Sequence, residues 1–187
     1  MENKTKILSI ICVAFILLCQ CKKEAEPQLP PITTTGANTF GCKVNGRVFV
    51  PRDGNGKPGL YAQYANFNTG PGATGGWYLN IPAIDYQSND DNAIVIQTDS
   101  LLIAEGLTYE FKLSNVVNPK PIKGTFYTYC DFNGNTYAKT AADTGQIRIL
   151  RFDQFKRLIS ATFSYSATNI SSGEKINITD GRFDILY

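Results

Sequence analysis

The sequence predicts an all-β domain, an antiparallel β-sandwich or partly closed barrel of about ten short strands. Three observations carry that expectation. Segments of alternating apolar and polar residues recur from Thr39 to Tyr187, separated by Gly-, Asn- and Pro-rich connectors. No segment sustains the apolar period of a helix. The chain's 11 Phe and 10 Tyr suit pleated, half-buried surfaces.

The elements follow in order. Phe40–Val44 and Arg47–Val50 flank Asn45-Gly46, the pair that accepts the positive φ angles of a tight hairpin. Pro51–Gly59 reads as a loop. Leu60–Phe67 reads as a strand with Tyr61, Gln63, Ala65 and Phe67 on one face, and Asn68–Gly76 as a second loop. Trp77–Ile84 alternates Trp77, Leu79 and Ile81 inward, with Pro82 marking an edge or bulge. Gln87–Asn92 is a polar turn, and Ala93–Thr98 and Leu101–Ala104 are short apolar runs.

Thr108–Leu113 sets Tyr109, Phe111 and Leu113 on one face, and Ser114–Lys123 is a loop. Gly124–Cys130 and Thr136–Thr140 flank a turn at Asn133-Gly134-Asn135. Gln146–Phe152 is a strand. Leu158–Ala167 is the longest clean alternation, with Ile159, Ala161, Phe163, Tyr165 and Ala167 facing one way. Lys175–Tyr187 carries Ile176, Ile178, Phe183 and Ile185, and Asp180-Gly181 reads as a turn before the last strand.

The N-terminus carries a different signal. Lys4 and Lys6 precede the apolar run Ile7–Leu18, and Leu18-Cys19-Gln20-Cys21 then meets Lys22-Lys23-Glu24-Ala25-Glu26. A basic start, an apolar stretch too short to span a bilayer comfortably and a cleavage site ending on cysteine resemble a bacterial lipoprotein signal peptide. Its lipobox resemblance implies lipidation of Cys21. Cys19 lies against the apolar run and has Leu18 where that box takes a small residue; Cys21 has Gln20 there and Leu18 three before it. The reading divides the chain into a signal peptide over 1–20, a flexible tether over 21–38 and an all-β domain over 39–187. Such an anchor places the protein in the cell envelope, at the outer membrane, either surface-exposed or facing the periplasm. The membrane is then a partner through the lipid on Cys21. The charged run after that cysteine resembles the export signals of surface lipoproteins, and a solvated linker is its alternative.

Composition removes several function classes. Of 18 Lys+Arg and 16 Asp+Glu, Lys4, Lys6 and Glu2 leave with the first twenty residues, so 16 basic face 15 acidic side chains. That balance points to no nucleic-acid partner. Histidine is absent, which removes the commonest general base and metal ligand. No cofactor motif survives inspection. Cys12 and Cys19 also leave with the signal, so Cys42 and Cys130 remain. They are candidates for a disulfide in an oxidising compartment, the alternative being two buried reduced thiols that never meet.

Phe40-Gly41-Cys42-Lys43-Val44-Asn45-Gly46, Ile159-Ser160-Ala161-Thr162-Phe163-Ser164-Tyr165 and Ile178-Thr179-Asp180-Gly181-Arg182-Phe183-Asp184 occur together. The combination resembles a family of small Gram-negative lipoproteins known only as a domain of unknown function, with Ala161 replacing the family's usual glycine. The resemblance implies an all-β domain and a lipid anchor. It supplies no activity and no site residues.

The remaining motifs have bland readings beside the functional ones. Gly54–Gly59 and Gly70–Gly75 both match G-x-G-x-x-G, but strands follow each where a phosphate site needs a helix. Asp131–Asn135 spaces oxygen ligands like a calcium loop, yet its glycine is early and the twelfth position is Ala142, so a hairpin turn explains it. Asp90-Asp91, Asp180 and Asp184 are the carboxylates for a hydrolase, which needs two facing each other. Arg148, Arg151, Lys156 and Arg157 read as a solvated face.

Trp77, Tyr64 and Tyr78 are the candidate ligand platform, with Tyr61, Tyr127 and Tyr129 as further aromatics that either stack on sugars or fill the sheets and rims. The sequence thus points to a non-catalytic binding or interaction module of the envelope, not an enzyme. Its partner is an envelope protein or, as an alternative, a glycan; a carboxylate-pair hydrolase is the further alternative.

Overall fold

The computed structural model describes residues 27–67, 75–113 and 123–187. The expected signal peptide, Cys21, the first part of the expected tether, most of the loop over 68–76, the second glycine motif up to Gly75 and most of the loop over 114–123 lie outside them.

The described residues form eleven strands in one antiparallel sheet that is not closed, folded over as a β-sandwich. The strands are β1 (Thr39–Val44), β2 (Arg47–Phe49), β3 (Gln63–Phe67), β4 (Gly76–Asp85), β5 (Asn92–Asp99), β6 (Thr108–Glu110), β7 (Thr125–Phe132), β8 (Asn135–Ala138), β9 (Gly145–Asp153), β10 (Leu158–Asn169) and β11 (Lys175–Leu186). One layer runs β2-β1-β11-β10-β9-β6 and the other β8-β7-β5-β4-β3. β10 belongs to both. Leu158–Tyr165 pairs with β9, then Thr168 and Asn169 pair with Ala138 and Tyr137 of β8.

Alternation decides what each layer buries. β10 turns Ile159, Ala161, Phe163, Tyr165 and Ala167 inward, and β7 turns Phe126, Thr128 and Cys130 inward. They meet Phe40, Ile94, Ile96, Ile147, Ile149, Ile178 and Phe183 in one core. At about 25 cal/mol per Å² of apolar surface, this burial is the main term holding the layers together. Edge-to-face pairs such as Phe49–Phe132, with centroids 5.5 Å apart, and Phe111–Tyr165, 5.3 Å apart, knit the faces.

Three features depart from the sequence expectation. Asp180-Gly181 is a bulge inside β11, where two residues oppose one on both β1 and β10. Asp180 takes φ 52° there, and a side chain at Gly181 would run into the Phe163 ring. Leu101–Ala104 forms no strand although Leu101 and Ile103 are buried. The Tyr64 hydroxyl donates to the Leu101 carbonyl at 3.0 Å and accepts from the Ile103 amide at 3.2 Å, supplying what a neighbouring strand would have supplied. The β7–β8 turn is the two residues Asn133-Gly134, since Phe132 pairs directly with Asn135.

The described part of the tether runs across the domain. Asp184, 1 % exposed, accepts the Thr33 hydroxyl at 2.7 Å, the Thr35 amide at 2.8 Å, the Gly36 amide at 2.8 Å and the Ala37 amide at 3.2 Å. Pro30 and Leu29 lie against Gly41, where a Cβ would come within 2.5 Å of Pro30 Cδ. Phe40 and Cys42 point inward, so Gly41 faces out, and residues 29–37 form a strap over the outer face of β1 and β11.

Candidate functional site

The outer face of β3-β4-β5-β7 carries the aromatic residues that are not spent on the core. On β7, Tyr127 and Tyr129 alternate with the fully buried Phe126, Thr128 and Cys130, so both rings stand outward. Pairing places Tyr127 level with Gln97, Asn80 and Gln63 across the four strands. The Gln97 side-chain amide donates to Asn80 Oδ1 at 2.8 Å, making a polar rail. One row along, Tyr129 is level with Val95 and Pro82, and the bridge between Leu60 and Ala83 brings Tyr61 to the far end. Val95 is only 6 % exposed although it lies on the outer face.

On the other side of the rail stand Tyr78 and Phe67, ring centroids 5.8 Å apart. Tyr61 is 50 % and Phe67 45 % exposed. The phenols sense one another. Burial, then the Asp99 carboxylate, then Tyr129 and Tyr78 raise the Tyr127 hydroxyl's pKa. Burial, then Asp131, then Tyr61 raise that of Tyr129. Tyr61, Tyr129, Tyr127, Tyr78 and Phe67 therefore form one continuous aromatic surface around the amides of Gln63, Asn80 and Gln97. Half-exposed rings and fixed amide groups offer stacking area and directional hydrogen bonds together.

The three residues singled out as a platform separate. Tyr78 belongs to this face. Tyr64 is 5 % exposed and stacks on Trp77, centroids 4.9 Å apart and 17° from parallel, on the inward side with Phe152 and Tyr187. Burial pushes the Tyr64 hydroxyl up to about 12, with the Ile103 amide bond working the other way. Alternation about Leu79 puts Trp77 inward, as found, but the sequence reading sets Tyr64 on the outward face opposite Tyr61, and the structure reverses the two: Tyr64 packs on Trp77 and Tyr61 stands exposed.

Cys42 and Cys130 are free, buried thiols, and no disulfide joins them, which corrects the bridged alternative. Both point into the core from facing layers, one from β1 and one from β7. Burial, then the neighbouring Cys130, raises Cys42; burial lifts Cys130 to about 12, with the nearby Tyr165 hydroxyl working the other way. Thiols held so far toward the neutral form are poor nucleophiles.

A concavity of about 660 Å³ lies where β10 passes from β9 to β8. Lys139, Asp143, Gln146, Ser164, Ser166 and Thr179 line it. Two carboxylates line it and both are engaged: Glu110 pairs with Lys112 at 2.6 Å, and Asp143 accepts the Thr140 amide at 2.8 Å and hydroxyl at 2.7 Å, the Thr168 hydroxyl at 3.0 Å and the Lys175 ammonium at 3.2 Å. Burial works to raise Asp143, and these bonds outweigh it and hold the group well below the usual carboxylate range. The cleft is a structural corner.

The other carboxylates are separated in the same way. Asp180 pairs with Lys43 at 2.9 Å, Asp184 lies beneath the strap, and Asp90 and Asp91 stand exposed in the turn before β5. Asp131 accepts the Thr136 hydroxyl at 2.5 Å within its hairpin. Gly54 and Lys57 exchange backbone bonds at 3.1 and 2.9 Å, and Gly59 packs against the Ile84 carbonyl, so the first glycine motif is a strand connector. Comparison with known proteins finds no matching family model, no matching curated protein and no matching solved structure.

Proposed function

We propose that this chain is a non-catalytic, lipid-anchored module of the cell envelope that binds glycan on the outer face of β3-β4-β5-β7. The observation that carries the reading is the continuous surface of Tyr61, Tyr129, Tyr127, Tyr78 and Phe67 around the Gln63–Asn80–Gln97 rail. A sugar ring has an apolar face that stacks on tyrosine and equatorial hydroxyls that pair with amides. The charges beside the rings are acidic: Asp99, 9 % exposed, raises Tyr127, and Asp131, which accepts the Thr136 hydroxyl, raises Tyr129. A neutral glycan suits such a face better than an anionic one. The lipoprotein resemblance of the N-terminus supports Cys21 as the anchor and the envelope as the location.

The test is binding of the purified protein to a panel of neutral and acidic oligosaccharides by calorimetry, with Tyr61→Ala, Tyr78→Ala and Tyr129→Ala compared. Each exposed ring removed should weaken binding by about 1 kcal/mol. A panel with no binder, or binding indifferent to all three substitutions, removes the glycan reading and leaves an envelope protein as the partner to seek.

A further inference from the structure

The strap fixes which side of the domain meets the membrane. It crosses the outer face of β1 and β11, whereas the aromatic face is the outer face of the opposite layer. The chain enters this strap at Leu29 and Pro30, over Gly41. Gly41 is level with Arg182, Thr162 and Arg148 across β1, β11, β10 and β9. Arg182 donates to the Asp180 carbonyl at 3.0 Å and to the Pro30 carbonyl at 3.4 Å. Neither Arg182 nor Arg148 has a carboxylate within ion-pairing distance among the described residues, and Arg148 is exposed.

From these placements we infer that the strapped face, with Arg148 and Arg182, lies against anionic phospholipid headgroups, and that the aromatic face is thereby turned away from the bilayer. The inference rests on the lipid anchor at Cys21. Two arguments carry it. The first is chain length: eight residue steps separate Cys21 from Leu29, the first residue seated on Gly41, a reach of about 27 Å even at full extension. To lay the far face on the lipid, that length would have to round the edge strand β2 and pass two sheets about 10 Å apart together with the side chains of both outer faces, which consumes it. The strap is decisive here. Were the chain free up to β1, the reach would roughly double, to about 60 Å, and either face could turn down. The second argument is charge. Lys22 and Lys23 are balanced by Glu24 and Glu26, so the charge comes from two arginines outside the ion pairs beside the point of entry, Arg148 exposed and Arg182 sharing its field with Asp180. Basic groups at an anionic lipid surface gain about 1 kcal/mol each, within a Debye length.

The test uses the full chain, purified from membranes of an expressing bacterial strain so that it carries its own processing. It is reconstituted into phosphatidylethanolamine–phosphatidylglycerol vesicles containing a headgroup spin-labelled lipid. A fluorophore is attached at Thr162→Cys or, separately, at Gln97→Cys; Cys42 and Cys130 are buried. Quenching should be several-fold stronger at position 162 than at position 97. Charge reversal by Arg148→Glu and Arg182→Glu should lower that preference by about fivefold per charge. Equal quenching at both positions, or stronger quenching at 97, overturns the inference while leaving the anchor standing. Failure of the protein to float with the vesicles overturns the anchor and the inference with it. Glycan binding in solution is untouched by either result.

Discussion

Tyr64 stacks on Trp77 at 4.9 Å, and its hydroxyl bridges the Leu101 carbonyl and the Ile103 amide. The two rings are therefore part of the wall that closes one end of the sandwich. Tyr64→Phe keeps the stack and removes both hydrogen bonds, leaving two buried backbone groups without that partner. A loss of about 1–3 kcal/mol is expected in urea unfolding. Because Trp77 faces inward, its emission should change with this substitution and stay constant when sugar is added to the native protein. A large sugar-induced shift would mean that the ligand enters the closed end.

Acid should release the strap. Burial alone would raise the Asp184 carboxyl, but the Thr33, Thr35, Gly36 and Ala37 donors outweigh it and hold it below its ordinary value of 3.8. A depressed carboxylate contributes stability that is fully present above its unfolded pKa. That stability is lost as pH falls through the lower folded value. Asp143 is shifted the same way by Thr140, Thr168 and Lys175. Denaturant midpoints should therefore hold steady down to about pH 5 and drop steeply below 4. Asp184→Asn should flatten that limb and lower stability at neutral pH by about 1.5–3 kcal/mol, the range for a hydrogen-bonded charged group. An unchanged acid limb in the variant would show that Asp184 does not govern it.

The two thiols give a simple count. In the native protein Cys42 and Cys130 should resist a thiol reagent at pH 8, since burial disfavours both thiolates. In denaturant without reductant both should react together. Protein that yields neither thiol in denaturant would carry a bond between them.

Ser160 is buried on β10 opposite Asp184, and its hydroxyl has no hydrogen-bond partner among the described residues. Ser160→Ala removes an uncompensated polar group at almost constant volume. A gain of up to about 1 kcal/mol is expected in thermal or chemical unfolding. A loss would show that a water occupies the site.

The strand pattern was legible because alternation is a local signal. Leu158–Ala167 and Lys175–Tyr187 could be read directly, and the structure extends the first only to Asn169. What escaped was set by partners distant in sequence. Asp180-Gly181 looks like a turn in isolation, and only pairing with β1 and β10 together makes it a bulge. Thr33–Ala37 looks like a Thr-rich linker, and only a carboxylate about 150 residues away gives its amides an acceptor. The aromatic face was half visible. Alternation put Tyr78, Tyr127 and Tyr129 outward, but their meeting with Tyr61 depends on the order β7-β5-β4-β3, which no single strand encodes.

The place of β10 and β11 has a consequence for how the chain is made. β11 lies between β1 and β10, and β10 is the strand through which the two layers join. These are the last two strands of the sequence. A nascent chain that has emerged as far as β9 holds β1 and β2 as an isolated hairpin, a form marginal in water by itself. The layer β2-β1-β11-β10-β9-β6 therefore gains its continuity only when β10 and β11 are added, whereas β3, β4, β5, β7 and β8 of the opposite layer pair without them.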